Sequence, residues 1–387
     1  AGVACSDYWN TGTTMADING DGYLDIYVCS STDGRAKFRK NLLFLNNGDL
    51  TFTESAARFG IADSSYSTHS AFFDYDKDGD LDLFVLNHSL DRFAMFDLHS
   101  TQFKNLKDPR FQHRLYENVE GKYVDVTEKA GMITNVMNFG LGLAIADFNN
   151  DFWPDIYVCN DYFEQDYFYI NQKDGTFSEQ LSKYFSHVSL SSMGNDAADF
   201  NNDGYIDLIT LDMLPESNYE QKLVAGPDNY DRFIILDTVG FYHQSTRNML
   251  QMNNHGSYFI EIGQYAGIYA TNWSWSPLFC DFDNDGNKDL FITNGYGKNS
   301  THMDFIKLAV EQVIKKQKGL ETMSRMSIVE KIPATILKNY FYRNNGDSTF
   351  SNVTDAWVTE GPSLSNGAAY ADLDNDGDMD LVVSNIN

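Results

Sequence analysis

Six short apolar runs recur along the chain: Ile26–Cys29, Leu83–Leu86, Ile156–Cys159, Leu208–Leu211, Leu290–Thr293 and Leu381–Ser384. Each is entered from a cluster of Asp, Asn and Gly. Runs of this length, rich in β-branched and aromatic side chains and bounded by turn residues, predict buried strands. A second pattern of strand, turn and strand follows, from Asn41–Gly48 to Glu54, Arg114–Asn118 to Thr127, Tyr167–Asn171 to Phe177, Asn248–Asn253 to Ile262 and Asn339–Asn344 to Thr354. A full unit therefore has four strands, A to D, with the acidic cluster joining A to B. Linking segments end in Phe59-Gly-Ile61, Ala130-Gly-Met132 and Ala266-Gly-Ile268. One stretch departs from strand periodicity: apolar residues at 305, 306, 309, 310, 313 and 314 predict a helix over Asp304–Lys316, inside an insertion at 301–338.

The acidic clusters begin at residues 17, 74, 147, 199, 281 and 372, so a unit of about 50 residues repeats with variable insertions. Repeated four-stranded units of this size predict an all-β fold, a β-propeller in which radial packing protects the sheet edges. The expectation is a single propeller over 1–387 with six A–B hairpins and five C–D hairpins. It is incomplete at both ends and reads as a segment of a longer polypeptide.

Within each cluster, oxygen-bearing side chains fall at positions 1, 3, 5 and 9 around a residue at position 6 that is glycine in five copies. The first three copies are Asp17, Asn19, Asp21 and Asp25; Asp74, Asp76, Asp78 and Asp82; and Asp147, Asn149, Asp151 and Asp155. The others are Asp199, Asn201, Asp203 and Asp207; Asp281, Asp283, Asp285 and Asp289; and Asp372, Asp374, Asp376 and Asp380. Carboxylates packed this densely repel one another, and a hard divalent cation with six to eight oxygen ligands relieves the repulsion. Position 7 (Tyr23, Asp80, Trp153, Tyr205, Asn287 and Asp378) is expected to lend its backbone carbonyl. Up to six Ca²⁺ ions are expected. The weakest site is the loop Asp147–Asp155, where Phe152 replaces the glycine and a left-handed backbone costs about 1–2 kcal/mol. An EF-hand would need an acid at position 12 and flanking helices, and neither is present. An empty Asx turn is the competing reading of one copy; six copies with identical oxygen spacing favour the ion.

Composition narrows the partners. The formal charge of −27 opposes binding to nucleic acid or to an anionic membrane surface. The six loops hold 23 of the 55 acidic residues, and six bound Ca²⁺ would bring the charge to about −15. No run is long or apolar enough to insert in a bilayer. The four cysteines have no metal-ligand spacing, and Cys29 and Cys159 recur inside equivalent strands, which suits free, buried thiols.

The loops, with Phe139-Gly140-Leu-Gly142 ahead of one of them, resemble the FG-GAP/VCBS repeats of integrin α-subunits and bacterial surface proteins. Leu211-Asp-Met-Leu-Pro-Glu216, Gly226-Pro-Asp-Asn-Tyr-Asp231, Arg247-Asn-Met-Leu-Gln251, Trp273-Ser-Trp-Ser-Pro277 and Asn366-Gly-Ala-Ala-Tyr-Ala371 resemble a Gram-negative VCBS-repeat group related to cartilage acidic protein. The resemblance implies a calcium-loaded propeller at the cell surface or outside it, with no defined ligand for most members.

In such a meander the B–C insertions (88–112, 213–246 and 295–338) leave the face opposite the calcium loops, and a protein or glycan ligand is expected there. Asn87, Asn160, Asp212, Asn294 and Asn385, thirteen residues past the first Asp of five loops, with Ser30 the exception in the first, would cap the B–C turns of that face. His88 and His302 also fall in these insertions. Asp161, Glu164 and Asp166 could form a carboxylate pair for glycan chemistry, although exposed loop acids are the expectation. The leading function is a non-catalytic, extracellular or outer-membrane-surface binding and adhesion module. A propeller-type polysaccharide lyase and a structural subunit of a larger surface assembly are the alternatives.

Overall fold

A computed structural model describes residues 1–5, 7–31, 35–89, 100–224, 230–333, 336–358 and 361–386. Gly226–Asn229 of the sequence motif above, and 90–99 of the first insertion, lie outside the described residues.

The six predicted A–B hairpins and five C–D hairpins form as expected. The first sheet holds β1 (Asn10–Ala16), β2 (Asp25–Ser30), β3 (Leu42–Asn46) and β4 (Phe52–Glu54). The second holds β5 (Ser67–Phe73), β6 (Asp82–Asn87), β7 (Arg114–Val119) and β8 (Lys122–Asp125). The third holds β9 (Gly140–Ala146), β10 (Asp155–Asn160), β11 (Tyr167–Asn171) and β12 (Phe177–Glu179). A short parallel pair, β13 (Val188–Ser189) and β16 (Gln244–Ser245), precedes and straddles the fourth sheet, which is built from β14 (Asn195–Ala198), β15 (Asp207–Thr210), β17 (Met249–Asn253) and β18 (Phe259–Glu261). The fifth has β19 (Ser274–Cys280), β20 (Asp289–Asn294), β21 (Tyr340–Asn344) and β22 (Phe350–Asn352); the sixth has only β23 (Ser365–Ala371) and β24 (Asp380–Asn385). Five sheets are thus four-stranded antiparallel meanders.

The arrangement is propeller-like. The first strands touch in sequence, β1 to β5, β9, β14, β19 and β23, and all six line one central cavity of about 590 Å³. Apolar layers fill the four gaps between successive sheets from the first to the fifth. Tyr27, Cys29 and Leu43 meet Leu83, Val85 and Tyr116, and Phe84 and Leu86 meet Ile156, Val158 and Tyr169. Because the B strands of sheets one to five are covered on both faces, their sequences are apolar without alternation. Close approach of the first strands needs small residues: a Cβ on Gly194 would lie 1.8 Å from the Trp275 carbonyl oxygen, and one on Gly12 would lie 2.5 Å from that of Thr68.

Four of the five links between sheets are one-turn helices, which the sequence reading treated only as a signature. They are α1 (Ala56–Phe59), α2 (Leu181–Tyr184), α5 (Gly263–Ala266) and α8 (Thr354–Trp357). α1 ends on Gly60 at φ 86°, a left-handed cap. Two linking segments are hydrogen-bonded to the last strand of the sheet that follows them: Phe177 N–H donates to the Ala130 carbonyl at 2.8 Å and Phe52 N–H to that of Ala1 at 2.8 Å.

The insertions carry α3 (Asn218–Leu223), α4 (Tyr230–Thr238), α6 (Met303–Gln317) and α7 (Arg325–Glu330). The expected helix over Asp304–Lys316 is α6, but its buried stripe is rotated from the expected one. Phe305, Ile306, Leu308 and Ala309 are half-buried and Gln312 is buried, whereas Val310, Val313 and Ile314 are exposed. The Gln312 side chain accepts a hydrogen bond from Met323 N–H, which explains a polar residue on the inner face.

A polar clamp joins strand B to strand C in every four-stranded sheet. The N–H groups of Ser30, Asn87, Asn160, Asp212 and Asn294 donate to the side chains of Asn41, His113, Asp166, Asn248 and Asn339, at 2.8–3.1 Å. The turn-capping expected of the thirteenth-position residues is therefore shared. Asn87 and Asn160 also donate through Nδ2 to the carbonyls of Gln112 and Gln165.

Candidate metal centre in six repeated hairpin loops

Each loop folds around its own first side chain. The Asp17 carboxylate accepts from the N–H groups of Asp21 and Gly22, at 3.1 and 2.8 Å. Asp147, Asp199, Asp281 and Asp372 do the same for positions 5 and 6 of their loops. Position 5 then accepts from the N–H of position 7 in all six copies, from Tyr23, Asp80, Trp153, Tyr205, Asn287 and Asp378. Positive φ at position 6 closes the turn in all six, including Phe152 at φ 71°. Phe152 N–H still donates to Asp147, at 2.6 Å, so the departing copy keeps the backbone geometry of the others.

The backbone is also left-handed at position 4 in every copy: Gly20, Lys77, Asn150, Asn202, Asn284 and Asn375 have φ between 57° and 71°. The sequence reading missed this position. Asn in four of six copies was the available signal, because Asn tolerates the left-handed region.

Position 9 serves the fold first. Asp25, Asp82, Asp155, Asp207, Asp289 and Asp380 each accept from the N–H of position 2. The first five accept with their other oxygen from the N–H of Asn46, Asn118, Asn171, Asn253 and Asn344 at the end of strand C. Burial pushes the carboxyls of Asp82, Asp155 and Asp207 up to about 7, partly offset by these N–H donors.

The donor set fits a hard cation. Oxygens of Asp74, Asp76 and Asp78 lie within 4.8 Å of one another, as do those of Asp281, Asp283 and Asp285, and of Asp372, Asp374 and Asp380. The loops at 17, 147 and 199 place Asn19, Asn149 and Asn201 in the third position instead. In two of these the amide nitrogen lies against the position-5 carboxylate, Asn19 to Asp21 at 2.9 Å and Asn201 to Asp203 at 3.2 Å. In the second loop, Asp74 Oδ1 and Asp80 Oδ1 are buried without a hydrogen-bond partner among the described residues. Buried anionic oxygens left unpaired are costly, and a divalent ion is the group that satisfies several at once.

Neighbouring loops touch. Asn150 Nδ2 donates to the Gly204 carbonyl at 3.2 Å, Asn202 Nδ2 to Gly286 at 3.1 Å, and Asn284 Nδ2 to Asp378 Oδ1 at 2.7 Å. The Lys77 ammonium lies 5.0 Å from the centre of the Trp153 ring. Position 4 of one loop thus reaches position 6 or 7 of the next along loops two to six.

The structure changes the other candidates. Glu164 and Asp166 are buried, not exposed. Asp166 accepts from Tyr157 Oη and Asn160 N–H, Glu164 from Tyr167 Oη, and Asp161 from Tyr162 N–H. These three are structural anchors, and burial raises Asp166 to about 7 and Asp161 to about 6. His88 is buried against Ser31 Oγ at 2.6 Å, and His302 caps α6 by accepting from Asp304 N–H. All four cysteines are free. Among the described residues, no helix is long and apolar enough to cross a membrane.

An FG-GAP-like repeat model matches residues 17–85, 147–210 and 335–383. Cartilage acidic protein 1 of Xenopus tropicalis is 22% identical over 388 residues, which covers 96% of this chain and 48% of that protein. The chain therefore spans about half the length of this relative. Among solved structures, an Agrocybe aegerita lectin described as recognising non-reducing terminal N-acetylglucosamine superposes with a TM-score of 0.45 at 15% identity, over 97% of this chain and 74% of that one. The rhamnogalacturonan lyase YesW superposes at 0.40 and 11% identity, over 97% of this chain and 55% of that one.

Proposed function

We infer that this chain, an FG-GAP repeat protein, is a calcium-loaded binding module that holds a protein or glycan ligand on the face built by its B–C insertions. Supporting this is one topological fact: the acidic loops and the long insertions leave opposite ends of the same B strands, so metal and ligand functions have separate surfaces. On the insertion side, the Trp273 and Tyr296 rings stack with centroids 3.6 Å apart. Together with Asn272, Asn294 and Asn299 they wall a cleft of about 40 Å³. That volume admits one small group, and the open rim of rings and amides offers an apolar plane beside hydrogen-bonding groups.

Millimolar calcium outside the cytosol would fill even weak acidic loops, which supports a module working at the extracellular or outer-membrane surface, alone or within a larger surface assembly. In that role the ions neutralise the loops, and Asp, Asn and backbone oxygens of positions 1, 3, 5, 7 and 9 would hold them. A screen against neutral and acidic glycans and surface proteins, in millimolar calcium, tests the reading. Binding that weakens at least tenfold in Trp273→Ala supports it. Sustained release of unsaturated product from uronic-acid polymers would replace it with the lyase, and no binding to any panel member would overturn it.

A further inference from the structure

Helix α6 carries two apolar faces, and the body of the protein covers only one of them. The inner face is Phe305, Leu308, Ala309 and the buried Gln312. At about 3.6 residues per turn, Met303, Ile306, Val310, Val313 and Ile314 fall on the opposite side, in steps of three and four. Ile306 is half-buried, whereas the other four are 38–56% exposed. Leu320, Met326 and Val329 of the same insertion are exposed as well. Scattered apolar side chains at a surface need no partner, but a continuous seam along one helix face has the spacing that a second helix fills.

The charges of α6 point to a second copy of the same helix, run in the opposite direction. Asp304 stands in its first turn, and Lys315 and Lys316 in its last. An antiparallel copy brings the acidic start of one helix beside the basic end of the other and opposes the two macrodipoles, whereas a parallel copy would align like charges. The seam is symmetric too: Leu308 is the midpoint of Met303 and Val313, and also of Ile306 and Val310. A two-fold axis at that level lays Met303 of one copy on Val313 of the other, and Ile306 on Val310. On one flank of the seam, Lys307 of each copy then stands beside Glu311 of the other. Within one chain Lys307 Nζ makes only an exposed contact with Asp304 Oδ1, at 4.0 Å, which costs little to give up.

We propose that the outer face of α6 is a self-association surface, through which two copies of this chain pair as an antiparallel, two-fold symmetric helix couple seamed by Met303, Ile306, Val310 and Val313 and registered by Lys307 on Glu311. A single helix pair is smaller than a permanent interface, so the pairing is reversible and depends on concentration. Thr301, on the wall of the cleft beside Trp273, lies two residues ahead of α6, so pairing brings two such clefts together. If that cleft holds the ligand, as the reading above has it, the couple grips a repeating ligand at two points. The pairing itself needs no ligand.

Sedimentation equilibrium of the 387-residue chain in millimolar calcium, without ligand, tests it. Monomer and dimer should exchange across the micromolar range, and Val310→Asp should weaken the dimer at least about tenfold. Lys307→Glu or Glu311→Lys alone should each weaken it several-fold, and the two together, which exchange the charges, should restore it. All three side chains face solvent in the single chain, so circular dichroism should match that of the unaltered protein. A chain that stays monomeric, a dimer indifferent to Val310→Asp, or a double exchange no better than the single changes would overturn the proposal. So would a monomer that binds phosphatidylglycerol vesicles and loses them with Val310→Asp, which would assign the same face to an anionic lipid surface.

Discussion

Asn202 Nδ2 donates to the carbonyl of Gly286 at 3.1 Å, across the gap between the fourth and fifth acidic loops. That carbonyl belongs to the peptide joining positions 6 and 7, so a side chain of one loop orients the backbone that completes the next. On the calcium-loaded reading, filling one loop would lower the ordering cost of its neighbour. Removing the bond by Asn202→Ala should cost about 1 kcal/mol, or roughly fivefold in calcium affinity at the adjacent site. Calcium titration by calorimetry should also show a lower Hill coefficient than in the unaltered chain; an unchanged curve would show the loops to be independent.

Phe152 holds φ 71° with its side chain 82% exposed, so the position bears left-handed strain without compensating burial. Phe152→Gly should stabilise the chain by about 1 kcal/mol, less the added freedom of the unfolded state. Urea denaturation at fixed calcium reads the change.

Gly194 lies against the Trp275 carbonyl with no room for a methyl group. Gly194→Ala must part the fourth and fifth first strands, and a loss of more than about 3 kcal/mol is expected in thermal or urea unfolding. Gly204→Ala, where a Cβ meets nothing but the backbone is at φ 86°, should cost only about 1 kcal/mol.

Asp166 is an acid where three other sheets use Asn. Burial raises its folded carboxyl to about 7, against an ordinary value near 4 in the unfolded chain. A raised carboxyl binds its proton more tightly in the folded state, so its stabilisation is fully present below about pH 4 and is lost as pH rises to about 7. The loss runs at up to about 1.4 kcal/mol per pH unit. Asp166→Asn should flatten this slope, since Asn41 already shows the amide solution, with Oδ1 on Ser30 N–H and Nδ2 on Tyr27 Oη. Urea midpoints from pH 5 to pH 8, at constant calcium, compare the two chains.

Chelation should act in the opposite sense to a mere change of ionic strength. Removing calcium leaves the carboxylates of loops such as Asp74–Asp82 facing one another, and the melting temperature should fall by at least about 10 °C while sodium chloride restores little of it. Unchanged melting would separate the loops from any metal role.

Strands, loops and the helix at Met303–Gln317 were legible because each rests on a local rule: apolar runs for strands covered on both faces, Asx and Gly for turns, a 3.6-residue period for α6. The clamps were not, since Asn41 and Asn46 look like ordinary turn residues until the partners Ser30 and Asp25 are placed beside them. Glu164 and Asp166 were misjudged for the same reason. Nothing local distinguishes an exposed loop acid from one that caps Tyr157 and Asn160 inside the sheet. Position 4 stayed hidden because its work is done on a neighbouring repeat.

The links that rest on the last strand of the following sheet, as Ala130 does on Phe177, have a mechanical side. A pull along the polypeptide must shear each such staple before it can peel the sheet beneath. Extension should therefore proceed in discrete ruptures, with a force step as each such staple gives way.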